Sequence, residues 1–238
     1  MIYILKKIIE KNLVLNILVL KFLRNINIIF AHDSDFKIIS NNHKFLINGV
    51  FLDVGANQGG ASKYFIKTMS PSKITALEPQ VHLRKYLNRI KSTNSVFDFK
   101  IALASDKKGF VNIKVPYYFG LANDTASAFV SDAEHEQSSI NPFSSVKISK
   151  VESIIIDDLF THLDFVKIDV EGHELEVLKG ASNLLNNNNA VALIEVTQNR
   201  DQIVEFMLNL GYKICAYSLS QNLDEVRNLI FEKGSPPH

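Results

Sequence analysis

The chain has 238 residues, of which 46% are hydrophobic, and its formal net charge is +1. This composition is that of a globular protein and fits one α/β domain, or one domain with an appendage. The near-neutral charge gives no electrostatic reason to expect a nucleic-acid-binding protein, so nucleic acid is not predicted as a partner. The single cysteine, Cys215, excludes an internal disulfide, and we expect a buried thiol without a catalytic role.

Residues 1–45 are rich in isoleucine and leucine and are predicted to form an N-terminal helical extension. Its longest uncharged run, 12–20, is too short to span a bilayer, which takes about 20 apolar residues. The charged residues around this run are mostly basic, which suits a helix packed on the domain or on a second subunit, or one lying on an anionic membrane. We expect a cytoplasmic protein, with membrane attachment or self-association through this extension as the open alternative.

Residues 46–233 alternate between apolar strands and amphipathic helices and are predicted to form the main domain. Strands are predicted, in chain order, at 47–54, 73–79, 96–105, 109–118, 164–170, 190–196, 212–218 and 226–233. Helices are predicted at 59–69, 80–92, 172–185 and 199–211. We expect 109–118 to form a hairpin with 96–105, and 116–150 to be a long excursion that serves as a lid or binding loop. The alternation predicts a mostly parallel sheet with helices on both faces.

Ligands of such sheets bind beyond the carboxyl ends of the strands, which directs attention to the loop after 47–54. A dinucleotide fingerprint, G-x-G-x-x-G, would need glycine where Asn57 stands, so a pyrophosphate fits poorly. Gly55 suits a turn with positive φ, and Gly59 is expected to let the following helix approach the strand. Asp53 and Asn57 are expected to face the amino-acid end of a ligand.

Glu78 ends the second predicted strand and can accept both hydroxyls of a ribose. An adenosine, a ribose diol and an amino-acid end together describe S-adenosylmethionine, which is the predicted cofactor. An NAD-dependent oxidoreductase and a non-catalytic adenosine-cofactor-binding domain remain the alternatives.

Four stretches, "FLDVGANQGGAS", "ALEPQ", "IALASDKKGFVNIKV" and "DFVKIDVEGHELEVLKGA", occur in an order and spacing that resemble the FkbM-type S-adenosylmethionine-dependent methyltransferases. The resemblance covers about residues 47–231. It implies a Rossmann-like class I methyltransferase fold with a seven-stranded sheet and O-methylation of a sugar or another small-molecule acceptor. It also implies cofactor contacts from Asp53, Gly55, Ala56, Asn57, Gly59 and Glu78, and a nucleobase wall near Ala102.

Methyl transfer to an alcohol needs an aligned acceptor and a group that removes its proton. The candidate catalytic residues lie in "KIDVEGHE": Asp169 at a strand end, Glu171 in the turn and His173 at the helix start. Asp169 is the strongest of them, because a strand-end acid of a parallel sheet faces the ligand cleft. Two carboxylates in a short turn would also suit Mg²⁺, but three residues do not make a metal motif, and no metal is predicted.

Overall fold

The computed structural model of the chain describes residues 33–118, 121–122, 129–131, 144–196, 198–215 and 227–233. The strands are β1 Val50–Val54, β2 Lys73–Leu77, β3 Phe97–Lys100, β4 Leu103–Ala104, β5 Gly109–Tyr118, β6 Leu121–Ala122, β7 Phe129–Ser131, β8 Ser144–Ile154, β9 Phe165–Ile168, β10 Val191–Glu195, β11 Tyr212–Ile214 and β12 Asn228–Lys233. The helices are α1 Asp33–Asn42, α2 Gly60–Met69, α3 Arg84–Lys91, α4 Glu174–Lys179, α5 Ser182–Asn187 and α6 Arg200–Asn209.

Seven strands form one sheet in the order β3-β2-β1-β9-β10-β12-β11. Every pair is parallel except the two made by β12, which runs antiparallel to β10 and β11. Helices α1, α2 and α3 cover one face around Phe51 and Phe65, and α4, α5 and α6 cover the other around Leu52 and Ile168. The central strands are apolar on both faces because both faces are covered. The predicted seven-stranded, mostly parallel sheet with helices on both faces is confirmed.

Strands that follow β3 in the chain form a second sheet. Strand β5 pairs antiparallel with β8 along its whole length, from Gly109 opposite Ser153 to Tyr118 opposite Ser144. The predicted hairpin between 109–118 and 96–105 is therefore wrong. The reason is that β3 lies parallel to β2 at the edge of the large sheet, whereas β4 turns away and pairs with β8.

The predicted excursion 116–150 is not a loop throughout, because both of its ends extend the β5–β8 ribbon. Short strands β6 and β7 pair with β5 along it. The rest of the excursion, at 119–120, 123–128 and 132–143, lies outside the described residues. Its role as a lid or binding loop stays a prediction.

One predicted helix, 172–185, is divided into α4 and α5 at Gly180 and Ala181. A Cβ at Gly180 would lie 2.0 Å from the carbonyl oxygen of Ser105, so this position brings two backbones together. The new start of α5 is capped by the Asp157 carboxylate, which accepts the N–H groups of Asn183 and Leu184. The side-chain pattern of 172–185 would allow one continuous helix, but the close packing of two backbones at Gly180 interrupts it.

Only the end of the predicted N-terminal extension, from residue 33, is described. Helix α1 packs on α2 through Phe36, whose ring centroid lies 5.5 Å from that of Tyr64 and 5.2 Å from that of Phe65. Among the helices described, none combines the length and the apolar character that crossing a membrane would take.

Candidate active site

The loop after β1 turns tightly at Gly55, in contact with the end of β9. Gly55 has a φ of 74°, and a Cβ there would lie 1.8 Å from the carbonyl oxygen of Asp169. The N–H groups of Gly55 and Ala56 both donate to the carbonyl oxygen of Leu77, which ties the loop to β2. The positive φ predicted for Gly55 is confirmed, and the close approach of a neighbouring backbone adds a second reason for glycine.

Gly59 precedes α2 and also has a positive φ, of 75°. A Cβ there would lie 2.2 Å from the Cδ1 atom of Ile90 in α3. The expected close approach is therefore real, but it is made to α3 rather than to the preceding strand. Next to it, the N–H groups of Gly60 and Ala61 have no acceptor among the described residues, and a Cβ at Gly60 would meet open space. These first amides of a ten-residue helix can bind an anionic group.

Asp53 lies beneath this loop and is 1% exposed. Its Oδ2 atom accepts the N–H of Ser62 at 3.1 Å and the hydroxyl of Ser62 at 2.5 Å, which fixes the first turn of α2 on β1. Its Oδ1 atom lies 3.6 Å from the Nζ atom of Lys167 and has no hydrogen-bond partner among the described residues. The carboxylate thus has partners within the protein, and its direct contact with a ligand stays a prediction.

Glu78 joins the first loop to the second at the carboxyl end of β2. One carboxylate oxygen accepts the N–H of Asn57 at 2.8 Å and the other accepts the N–H of Gln80 at 2.9 Å. Burial raises the pKa of Glu78, although these two backbone bonds act in the opposite direction. Each oxygen has a second lone pair for a ligand hydroxyl. The buried Ala102 donates its N–H to the Glu78 carbonyl oxygen, so it adjoins the same site.

Lys167 is a buried residue of the site that is not predicted from the sequence. Its Nζ atom donates to the carbonyl oxygen of Gly55 at 3.1 Å and lies 3.1 Å from Asp169 Oδ2. Burial acts to lower the pKa of Lys167, but the charges of Asp169 and then Asp53 outweigh it and raise that pKa. The sequence does contain a sign of this role. Lys167 lies in an apolar strand, and Asp169, two residues later, is on the same face of that strand. Lys167 holds the glycine loop and both carboxylates together.

Asp169 and Glu195 form a carboxyl pair at the ends of the adjacent strands β9 and β10. The two carboxyl groups lie close enough for Asp169 to act on the pKa of Glu195, and the Asp169 side chain is 25% exposed. Burial, and then the charge of Asp169, raises the pKa of Glu195 to about 7. Arg227 lies 3.7 Å from the Glu195 carboxylate. The pair can therefore hold a proton near neutral pH, which suits acid–base chemistry.

The turn after Asp169 separates the three predicted catalytic residues. Glu171 is exposed and has a φ of 53°, and the Glu174 carboxylate closes the turn by accepting the N–H of Gly172 with both oxygens. Within the described part of the chain, the ligand atoms of Asp169, Glu171 and His173 do not come within 4.8 Å of one another as a group. The alternative of Mg²⁺ bound by these three residues gains no support from this geometry.

His173 faces the loop after β4. Its Nε2 atom shares a hydrogen bond of 3.0 Å with the Ser105 hydroxyl, and its Nδ1 atom lies 3.6 Å from Glu176. Burial lowers the pKa of His173, against the raising effect of Glu176 and Asp106. These contacts suit a residue that positions the Ser105 loop. A catalytic role for His173 stays a prediction, as it does for Glu171 and Asp169.

Comparison with known proteins gives one family match. Residues 53–233 match the family model described as the methyltransferase FkbM domain. No curated protein sequence matches the chain significantly. The match covers the glycine loop, Glu78 and the carboxyl pair, and it favours methyl transfer over the NAD-dependent alternative.

Solved methyltransferase structures superpose on the chain, and the first of them supports the fold. The methyltransferase FkbM from Methylobacillus flagellatus KT superposes with a TM-score of 0.50 at 15% identity, over 78% of this chain and 43% of that one. An rRNA methylase from Streptococcus thermophilus gives a TM-score of 0.47 at 8% identity, over 83% and 95% of the two chains. A methyltransferase from Geobacter sulfurreducens gives 0.47 at 10% identity, over 89% and 84%. The prediction that excludes nucleic acid stays a prediction.

Proposed function

Because the chain belongs to the FkbM methyltransferase family, whose methyl donor is S-adenosylmethionine, we propose that it methylates a hydroxyl oxygen of a sugar, a polysaccharide or a related small molecule. The observation that carries this proposal is the Asp169–Glu195 carboxyl pair beside the glycine loop. A hydroxyl loses its proton during methylation, and this pair is the described group best placed to receive it.

The residues of the first two loops fit S-adenosylmethionine. Glu78 offers carboxylate lone pairs to ribose hydroxyls, and the first amides of α2 offer donors to the amino-acid carboxylate. Gln80 adds a buried side-chain oxygen that has no hydrogen-bond partner among the described residues. The cofactor supplies a methyl group on a positively charged sulfur, so the protein has to orient the acceptor, exclude water and accept a proton.

Three carboxylates lie at the edge where the acceptor would enter, and the cations beside them, Lys167 and Arg227, pair with two of the three. Glu171 is exposed there, and Asp169 and Glu195 adjoin it. Acidic side chains accept hydrogen bonds from sugar hydroxyls, whereas they repel the phosphates of a nucleic acid. This distribution of charge supports an uncharged, hydroxyl-bearing acceptor.

The pH dependence of turnover should follow the ionisation of the Asp169–Glu195 carboxyl pair. The pKa of Glu195 is raised to about 7, so the fully ionised pair forms as the pH rises through that value. We expect kcat to increase with pH below about 7 and to level off above it. Glu195→Gln should remove this dependence and lower kcat by roughly 10²- to 10⁴-fold, the usual contribution of a general base.

A matched control for this prediction is Glu152→Gln, which changes an exposed glutamate paired with Lys100 on the ribbon. It should keep the wild-type pH profile. A wild-type profile in the Glu195 variant as well would remove the pair from the proton transfer.

The acceptor class can be tested with methyl-labelled S-adenosylmethionine. The chain is incubated with a panel of mono- and oligosaccharides and, separately, with total RNA, and transferred label is counted. We expect transfer to a saccharide, lost in the Glu195→Gln variant. Transfer to RNA alone would show that the acceptor is a nucleic acid and that the saccharide assignment is wrong.

A further inference from the structure

Three side chains able to bind a metal meet where the end of α1 reaches the antiparallel edge of the large sheet. A ligand atom from each of His43, Cys215 and Glu232 lies within 4.8 Å of the other two. His43 follows α1, Cys215 follows β11 and Glu232 belongs to β12. In the part of the chain that the structure describes, no other group of His, Cys, Asp and Glu residues converges in this way.

The cluster is largely closed to water. His43 is 2% exposed, Cys215 is 4% exposed and the side chain of Glu232 is 28% exposed. The Nε2 atom of His43 contacts the Glu232 carboxylate, whereas its Nδ1 atom is buried without a hydrogen-bond partner among the described residues. Because Nε2 is the ring nitrogen that faces Glu232, it is the atom that could share a cation with that carboxylate.

We propose that His43, Cys215 and Glu232 bind one Zn²⁺ ion, with a fourth position left for water or another ligand. Imidazole, thiolate and carboxylate are the ligands that zinc takes in proteins. Zinc bond lengths of about 2.0 to 2.3 Å place tetrahedral ligand atoms roughly 3.3 to 3.6 Å apart, so small side-chain movements would complete the site. A thiolate and a carboxylate together neutralise the charge of Zn²⁺, which a buried site requires.

This site is separate from the proposed methyl transfer. Strand β12 starts at Asn228, which pairs with Glu195 at the active-site edge, and Glu232 lies four residues further along. At about 3.3 Å per residue, the two points are roughly 13 Å apart. The ion would join the residue after α1 to β12 and to the end of β11.

Zinc content of the full-length chain, prepared without a histidine tag, tests this inference. After incubation with Zn²⁺ and gel filtration, we expect about one zinc per chain in the wild type and less than about a tenth of that in Cys215→Ser. A chelator should lower the melting temperature of the wild type by about 5 °C or more and leave that of the variant unchanged. Cys215→Ser keeps the His43–Glu232 contact. If the cluster formed only that contact and bound no zinc, the wild type and the variant would have the same zinc content and the same response to the chelator.

His162→Gln is the matched control, because His162 also pairs with an acid, Asp164, but has no cysteine beside it. It should keep its zinc. Equal zinc in the wild type and Cys215→Ser, no zinc in the wild type, or a loss of zinc in His162→Gln would each overturn the proposal. If Cys215→Ser does not fold, Co²⁺ added to the wild type decides: a thiolate-to-cobalt charge-transfer band supports the site and its absence overturns it.

Discussion

Lys167→Met should destabilise the protein by about 3 to 5 kcal/mol, because it removes one partner of a buried charge network. The Nζ atom of Lys167 lies 3.1 Å from Asp169 and 3.6 Å from Asp53, and it also binds the carbonyl oxygen of Gly55. Without it, the buried Asp53 carboxylate and the partly buried Asp169 carboxylate would lose the cation between them. Urea unfolding, followed by circular dichroism, measures the change in the free energy of unfolding.

Lys91→Met is the control for this substitution, since Lys91 also pairs with an acid but lies at the surface. Its ion pair with Asp98 is 2.6 Å long and half exposed on both sides, so its loss should cost less than about 1 kcal/mol. If Lys167→Met were as mild as Lys91→Met, Lys167 would not hold the network together. Adding Asp53→Asn to Lys167→Met should restore part of the stability, because it removes one of the stranded charges.

Gly55→Ala should destabilise the protein by more than about 3 kcal/mol, from strain and from overlap together. The position has a φ of 74°, and the added Cβ would lie 1.8 Å from the Asp169 carbonyl oxygen, where no flexible side chain can move aside. The end of β9 would have to shift, and with it the carboxyl pair. The same urea experiment measures the effect.

Gly60→Ala provides the comparison five residues away. A Cβ there meets nothing within 4 Å, and the residue starts a helix, so alanine should be neutral or stabilising by about 0.5 to 1 kcal/mol. Similar losses at both positions would mean that the backbone contact between the glycine loop and β9 is misplaced.

The large sheet could be predicted because each of its strands is a local pattern. Apolar runs such as 50–54 and 191–195 are buried on both faces, and each is followed by an amphipathic helix. The pairing of β5 could not be predicted in the same way. Its partner, β8, follows a long segment that has no clear helical or strand periodicity. Whether β5 pairs with β8 or with β3 is therefore decided only by tertiary packing.

The site was predictable at the strand ends and in the glycine loop, where topology and backbone geometry fix the residue type. Gly55, Glu78 and Asp169 all lie at the carboxyl edge of the sheet, as the parallel arrangement requires. The contacts between side chains were not predictable. Nothing local shows that Lys167 meets Asp53 across the register of β1 and β9, or that His173 turns to Ser105.

The cluster of His43, Cys215 and Glu232 illustrates the same limit. From the sequence, Cys215 is expected to be a buried thiol without a catalytic role, because no charged residue or histidine adjoins it in the chain. Its neighbours come from positions 172 residues before it and 17 residues after it, and only the folded sheet brings them together.

The most direct test of the central claim is a calorimetric titration of the purified chain with S-adenosylhomocysteine, and in parallel with NAD. The glycine loop, Glu78 and the start of α2 predict saturable binding of S-adenosylhomocysteine, at about one molecule per chain, and no binding of NAD. Binding of NAD alone, or of neither ligand, would contradict the assignment of this edge of the sheet as a site for S-adenosylmethionine.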